Sequence, residues 1–436
     1  MSAHTFIPKI ELKSQEEIKT FQEQELRELL TYLEAHSPFY KRLFTTHNID
    51  VSAIKTLEDL QSIPTTSKDD LQKHNMDFLC ASPEKIIDYI TTSGTSGDPV
   101  TFAATEKDLQ RLTYNEYLSF TTTGGQPSDI YQLMVTIDRR FMAGLAYFLG
   151  LRQLGAGVVR VGPGNPELQF DTLKRFNSTC FITVPSFLLK LVEYADAKGI
   201  DLNQTSVKSA ICIGEPIRNG DFELNTLGQQ IKDRWDIKLY STYASTEMGA
   251  AFTECEARQG GHHHPELLII EFLDENDQPV PVGELGELTI TTLGVEGMPL
   301  LRFKTGDICA RFEEPCTCGR NSIRLGPVVG RKNQMIKYKG TTLYPPSLYD
   351  LLNEIKEVEN YVVKVSNNSI GTDDILIIIG SQRQDKVFEK SIKDHFRAKL
   401  RVAPSIEFKA PAEVHQLQFP AMSRKPLIFI DERIKD

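Results

Sequence analysis

The chain has 436 residues, 40% of them hydrophobic and 25% charged, which is enough for two unequal domains or about three average ones, each with its own core. Its formal net charge of -10, from 49 basic and 59 acidic residues, argues against a protein that coats nucleic acid, because phosphate backbones are held by clustered Lys and Arg. No apolar run approaches the roughly 18 residues that a membrane span needs. Ile375 to Ile379 is only strand-sized. The first residues hold no basic region leading into an apolar block, so no signal peptide is expected. The 7 sparse cysteines suit a reducing cytoplasm better than a disulfide framework. These features predict a cytoplasmic enzyme with neither nucleic acid nor membrane as partner.

Periodicity begins at Phe21 to Ser37, where Leu26, Leu29, Leu30 and Leu33 recur at helical spacing, and Pro38 stops the helix. Short apolar runs at Gly157 to Val161, Thr179 to Val184 and Ser209 to Ile213 read as buried strands. Phe187 to Lys198 and Phe222 to Trp235 read as the helices among them. Strand–helix–strand succession predicts a largely parallel sheet flanked by helices. Leu267 to Phe272 and Gly286 to Thr292 follow as strands around an Asp274–Asp277 turn. Near Gly330-Arg331-Lys332-Asn333 the pattern changes. Beyond it come a helix at Leu348 to Ile355, strands at Tyr361 to Val365 and Ile375 to Ile379, a helix through Phe388, Ile392 and Phe396, and a strand at Ile406 to Lys409. The expectation is an α/β protein: a large N-terminal domain, 1–330, with mixed, largely parallel sheets, and a small mobile α+β domain, 331–436.

The densest chemical signal is Thr91-Thr92-Ser93-Gly94-Thr95-Ser96-Gly97-Asp98-Pro99, directly after the strand end Ile86 to Ile90. Its glycines allow backbone N–H groups to turn inward, and its hydroxyls add donors, which is how a phosphate chain is cradled. A flexible surface loop has the same composition, and no Gly-Lys-Ser/Thr closes it as in a Walker A loop. Tyr243-Ala244-Ser245-Thr246-Glu247 follows the apolar Ile237 to Tyr240. A carboxylate at a strand end can hold Mg²⁺, but the same residues could cap a helix. Asp307, after Thr305-Gly306, sits as if beyond a strand end, where it could accept ribose hydroxyls or simply close a turn. Cys255, the run His262-His263-His264 and Cys316-x-Cys318 offer three thiols and an imidazole, a Cys₃His set suited to structural zinc. Buried cysteines beside a solvent-facing histidine run are the alternative.

Thr92-Ser-Gly-Thr-Ser-Gly-Asp-Pro99, Tyr243-Ala-Ser-Thr-Glu247, Thr305-Gly-Asp307, Gly330-Arg331 and Lys425, in this order, resemble the adenylate-forming (acyl-CoA synthetase, luciferase) superfamily. Ser37-Pro-Phe-Tyr40, Leu57-Glu-Asp-Leu60, Gly214-Glu215-Pro216 and Cys316-Thr-Cys-Gly-Arg320 bring it nearest to the phenylacetate–CoA ligase family, over about residues 25 to 431. The resemblance implies an ATP-dependent ligase that activates an aryl or arylacetic acid as an acyl-adenylate and passes it to CoA, releasing AMP and pyrophosphate. It implies that Thr92, Ser93, Gly94, Thr95, Ser96 and Gly97 hold the ATP phosphates, and that Glu247 ligates Mg²⁺. Gly214, Glu215, Pro216, Tyr243, Ala244, Ser245 and Thr246 would line the nucleotide and acyl site, Asp307 would take the ribose, and Arg331 would lie at the domain joint. Lys425 would serve the adenylation step from the small domain. Within this family's pattern the zinc set becomes Cys255, His262, Cys316 and Cys318, and a homodimer is common.

The chain departs from that pattern at Asp98, where a Lys is common, and at Asn333, where the hinge residue is usually Asp or Lys. Arg424 replaces the Gly before the catalytic Lys, and Ala244-Ser245 replace Gly and Leu. Two other readings share these motifs. One is an adenylate-forming enzyme with a non-CoA acceptor, such as an acyl-protein synthetase or adenylyl transferase, and the other is a silent nucleotide-binding protein.

Overall fold

The computed structural model describes residues 6–92, 100–367, 373–419 and 426–433. It divides into two units, Met1–Pro327 and Val328–Asp436.

In the first unit, helix α1 (Gln15–His36) opens on a capping box: Ser14 Oγ accepts the Glu17 N–H and the Glu17 carboxylate accepts the Ser14 N–H. Its buried stripe is Leu26, Leu29, Leu30 and Leu33, as their spacing predicts, and the cap carries the helix further toward the N-terminus than the apolar periodicity does. Pro38 does more than stop α1. It is the first residue of α2 (Pro38–Thr46), a position where its missing N–H costs no hydrogen bond. After α3 (Lys68–His74), strands β1 (Ile86–Thr91) and β2 (Thr101–Thr105) pair as an antiparallel hairpin, and α4 (Glu106–Thr122) follows.

The main sheet is built in two halves. Strands β3 (Ile130–Leu133), β4 (Gly157–Arg160), β5 (Cys180–Thr183), β6 (Ser209–Cys212) and β7 (Lys238–Ser245) lie in the order β4-β3-β5-β6-β7, all parallel. Between them run α5 (Met142–Leu154), α6 (Pro166–Phe176), α7 (Pro185–Lys198) and α8 (Thr226–Lys232). Side chains alternate across each strand, so both faces need cover. Phe181, Ala210, Cys212 and Leu239 pack with Leu188, Val192 and Trp235. Cys180, Ile182, Ile211 and Leu133 pack on the opposite face with Phe120, Tyr147 and Leu151.

The helix expected over Phe222 to Trp235 is shorter than its apolar pattern suggests. Phe222 takes a left-handed backbone (φ 68°), and the Asn225 carboxamide oxygen accepts the Gly228 N–H, so the helix starts only at Thr226.

From β7 the sheet continues antiparallel through β8 (Ala250–Glu254), β9 (Gly261–His262), β10 (Leu268–Leu273), β11 (Leu285–Thr292), β12 (Phe303–Phe312) and β13 (Arg324–Leu325), in the order β7-β8-β9-β13-β12-β11-β10. The expected strands Leu267 to Phe272 and Gly286 to Thr292 are β10 and β11, paired from Leu268 opposite Thr292 to Leu273 opposite Glu287.

The second unit carries a four-stranded sheet in the order Ser405–Lys409, Asp373–Gly380, Asn360–Asn367, Phe429–Asp431. Helices Pro345–Asn353 and Lys386–Leu400 cover it through Leu348, Leu352, Phe388, Ile392 and Phe396. Arg433 binds the first residues of this unit to its end, donating to the carbonyls of Met335 (2.6 Å) and Asn333 (3.1 Å) and to Asp373 (3.1 Å).

One buried carboxyl in α4 is out of character for a core. Glu116 faces α5 where Gly150 lets the helices touch; a Cβ at position 150 would lie 2.4 Å from the Glu116 Cβ. Asn115 Nδ2 donates to its carboxyl at 3.0 Å and Ser119 is a second hydrogen-bonding neighbour, while no cation faces it among the described residues. Burial raises its pKa from the usual 4.5 to about 8, so the carboxyl is neutral in the fold at pH 7 and ionised in the unfolded chain. Its contribution to stability is therefore full below about pH 4.5 and declines as pH rises toward about 8. Glu116→Gln removes that decline. Relative to the parent it should be more stable at about pH 8.5 than at about pH 5, by on the order of a few kcal/mol in thermal or urea unfolding. A difference that is the same at both pH values would contradict a neutral Glu116.

Candidate functional site

In an open α/β sheet, ligands gather beyond the carboxyl ends of the parallel strands. Two of the motifs singled out in the sequence lie there. Gly214-Glu215-Pro216 leaves the end of β6, and Gly214 takes φ 74°, a conformation that glycine adopts without cost. The Glu215 carboxylate is already engaged, since it accepts the Ser186 N–H (2.9 Å) and hydroxyl (2.8 Å) at the start of α7. Next to β6 is β7, which carries Tyr243, Ala244 and Ser245.

Thr246 and Glu247 form the turn that joins β7 to β8, in register from Thr242 opposite Thr253 to Ser245 opposite Ala250. The helix-cap alternative for this motif is thereby removed, because a strand follows it. Met248 N–H donates to Ser245 Oγ (3.3 Å), and Arg111 Nη1 donates to the Gly249 carbonyl (2.7 Å), fixing both sides of Glu247. Arg111 reaches from α4 and spends its other nitrogens on the carbonyls of Leu293 and Leu267, both at 2.7 Å. Burial lowers its pKa to about 10, which leaves it charged. Thr246 and Glu247 border a cavity of roughly 430 Å³, counting its open mouth, with Ile90, Phe102, Met142 and Met298 on the other walls.

Asp307 is not beyond a strand end, as its Thr-Gly-Asp setting suggests, but inside β12. Gly306 takes φ 79° where the pairing of β11 with β12 slips between Glu287 and Thr289. Such a bulge re-aims a side chain within a strand. The Tyr243 hydroxyl donates to Asp307 Oδ2 at 2.5 Å, so residues 64 apart in sequence form one contact. Burial, and then the Asp307 charge, push the Tyr243 phenol far above its ordinary pKa, so it remains a donor.

Thr92 closes the base of the hydroxyl-rich loop: its N–H donates to the Val100 carbonyl and its hydroxyl accepts the Val100 N–H, both at 3.0 Å. Ser93, Gly94, Thr95, Ser96, Gly97 and Asp98 lie outside the described residues, as do Arg424 and Lys425. Arg331 belongs to the second unit, in the short strand Gly330–Arg331.

Cys255, His262, Cys316 and Cys318 come together with their donor atoms all within 4.8 Å of one another. Cys255 Sγ lies 3.6 Å from Cys316 Sγ, and Cys318 Sγ lies 3.5 Å from His262 Nε2. The alternative of a solvent-facing histidine run fails, since His262, His263 and His264 are all buried. His263 Nε2 meets the Leu268 carbonyl (2.7 Å) and His264 Nδ1 meets Glu11 (2.5 Å), which leaves His262 to the sulfurs. Hydrogen bonds from Cys255 and Cys316 push the Cys318 thiol well down, toward thiolate, while Cys255 as donor is pushed well up. Three thiols, two buried and that of Cys318 half-buried, gather with a buried imidazole around one point, a donor set whose chemistry fits tetrahedral zinc.

Around them, Arg320 donates to Cys318 Sγ (3.5 Å), Glu11 (2.6 Å) and Thr122 (2.9 Å). Glu11 is wholly buried between Arg320 and His264. Neither Glu11 nor Arg111 stands out in the sequence; each acts across more than 100 residues, and no local pattern marks such a partner.

The profile described as AMP-binding enzyme matches residues 19–297. A phenylacetate-coenzyme A ligase of Thermus thermophilus is 31% identical over 356 residues, covering 80% of this chain and 78% of that one. The enzyme of the same name from Escherichia coli is 26% identical, covering 80% and 79%. The crystal structure of a 2-hydroxyisobutyryl-CoA ligase in the postadenylation state, in complex with 2-HIB-AMP, shares the fold. Its TM-score is 0.85 at 21% identity, over 99% of this chain and 93% of that one.

Proposed function

Because the chain belongs to the AMP-binding enzymes and, within them, to the phenylacetate–CoA ligase family, we propose that it is an ATP-dependent acid–CoA ligase acting on an aryl or arylacetic acid. The observation that carries the reading is the Tyr243–Asp307 contact beside the Glu247 turn, which joins two separate motifs at the carboxyl edge of the sheet.

In the first half-reaction the acid's carboxylate attacks the α-phosphorus of ATP, giving an acyl-adenylate and pyrophosphate. In the second, the CoA thiol displaces AMP from the acyl carbon. Tyr243 would lie against the adenine. Asp307, held by the Tyr243 hydroxyl, would accept the ribose hydroxyls. The loop opening at Thr92 would surround the phosphates. Glu247 would hold Mg²⁺, which would neutralise charge on the phosphate oxygens. Lys425 would meet the α-phosphate and carboxylate during adenylation, when negative charge builds on the phosphoryl oxygens. The apolar cavity walls Ile90, Phe102 and Met142 would exclude water that otherwise hydrolyses the adenylate.

Zinc at Cys255, His262, Cys316 and Cys318 would be structural, since four protein ligands leave no open position for substrate. It would join the end of β8, the end of β9 and the loop between β12 and β13.

Pyrophosphate release from Mg-ATP across a panel of carboxylic acids, with and without CoA, tests the reading. Release should require an aromatic acid, turn over repeatedly only with CoA, and fall by about a hundredfold or more in Lys425→Ala. Turnover with another acceptor, or with short aliphatic acids alone, would overturn it. Elemental analysis tests the metal: purified protein should carry one zinc per chain, and Cys318→Ser should lose it together with several degrees of melting temperature. A zinc-free protein of unchanged stability would refute the metal assignment.

A further inference from the structure

The segment between β3 and α5 has an unusual backbone. Arg139 (φ 62°) and Arg140 (φ 59°) are consecutive left-handed residues with long side chains. Such residues are costly and persist where the surroundings hold them, and they cluster at functional sites. Here the Arg140 carbonyl accepts the Thr91 N–H (3.1 Å), which fixes the turn to the strand that opens the hydroxyl-rich loop. Two residues on, Met142 lines the cavity that Glu247 borders.

Both guanidinium groups are open to solvent, in a chain whose net charge is -10. The neighbouring Asp138 is 3.9 Å from Arg139 Nε, and its carboxylate is already taken by the Thr136 hydroxyl. Among the described residues the Arg140 side chain has no hydrogen bond or ion pair. The strand to which this turn is bonded, β1, has an exposed apolar side. Ile87 and Tyr89 share one side of β1 and are each 53% exposed, and Phe141 is 37% exposed.

Two solvent-exposed guanidinium groups, on a turn bonded to β1 and followed in the chain by the exposed Phe141, fit a ligand that joins phosphates to a purine and an apolar arm. On the acid–CoA ligase reading, on which this inference rests, ATP and CoA both carry phosphates, but only CoA adds a long arm that must run from surface to cavity. We propose that Arg139 and Arg140, with the exposed face of β1, dock the phosphorylated nucleotide end of CoA.

The test uses the full-length protein and the double variant Arg139→Gly/Arg140→Gly, since glycine suits the left-handed turn and removes both charges. Three Michaelis constants are compared: for CoA, for pantetheine (which lacks the nucleotide), and for ATP in acid-dependent pyrophosphate exchange. The site predicts a rise of about tenfold or more for CoA, with pantetheine and ATP unchanged, and recovery of most of the loss in Arg139→Lys/Arg140→Lys. An unchanged CoA constant in a chain that uses CoA would overturn the site alone. Equal rises for CoA and pantetheine would overturn the site, since the nucleotide end would then carry none of the loss. A rise for ATP instead would assign the pair to the triphosphate. A parent chain that exchanges pyrophosphate but never consumes CoA would overturn the proposed function and this site together.

Discussion

The β7–β8 hairpin is the constraint from which the rest of the first unit is built. It lies where the sheet changes from parallel to antiparallel, so one strand faces the helix-wrapped half and the other the meander. Its turn presents Thr246 and Glu247, and the residue after its second strand is Cys255. A shift of one residue in this pairing would turn Tyr243 away from Asp307 and displace Cys255 from the other sulfurs.

Buried polar groups hold that register. The Thr242 and Thr253 hydroxyls meet across the strands at 2.6 Å. Glu254 accepts both the Arg218 guanidinium (2.7 Å) and the Ser241 N–H (2.9 Å), so its desolvated charge is paired and bonded. From α4, Asn115 accepts the Ala251 N–H (2.9 Å) beyond the reach of the β9 pairing, and Arg111 holds Gly249. Leaving any of these groups without its partner would strand a buried donor or charge, which is more costly than the net gain of forming the pair. The metal-type cluster and the Glu11–Arg320–His264 contacts act at the other end of the same strand, where Arg320 also donates to Thr122 of α4 (2.9 Å).

Much of this was legible in the sequence, for a physical reason. Strands and helices that bury one face announce themselves by period, which is why β4, β5, β6, α1, α7 and most elements of the second unit fall where the apolar spacing places them, whereas β3 was not foreseen. Where the backbone is steered by a single cap or bulge, the pattern misleads. Asn225 delays α8, and the Gly306 bulge keeps Asp307 inside a strand where the Thr-Gly-Asp triplet alone predicts a turn. The Cys₃His set was readable because metal ligands are chemically distinctive. Glu11, Arg111 and Glu116 were not, since their roles come from burial and distant partners that only the fold brings near.

On the proposed function, Tyr243 on β7 and Asp307 on β12 serve the nucleotide as one hydrogen-bonded element. A double-mutant cycle with Tyr243→Phe and Asp307→Asn, read as kcat/KM for ATP in acid-dependent pyrophosphate exchange, tests it most directly. Strong non-additivity is expected: once Asp307 is replaced, loss of the Tyr243 hydroxyl should cost almost nothing more, a coupling of about 1 kcal/mol or greater. Additive losses would mean that the two side chains serve the nucleotide separately, and would contradict the account.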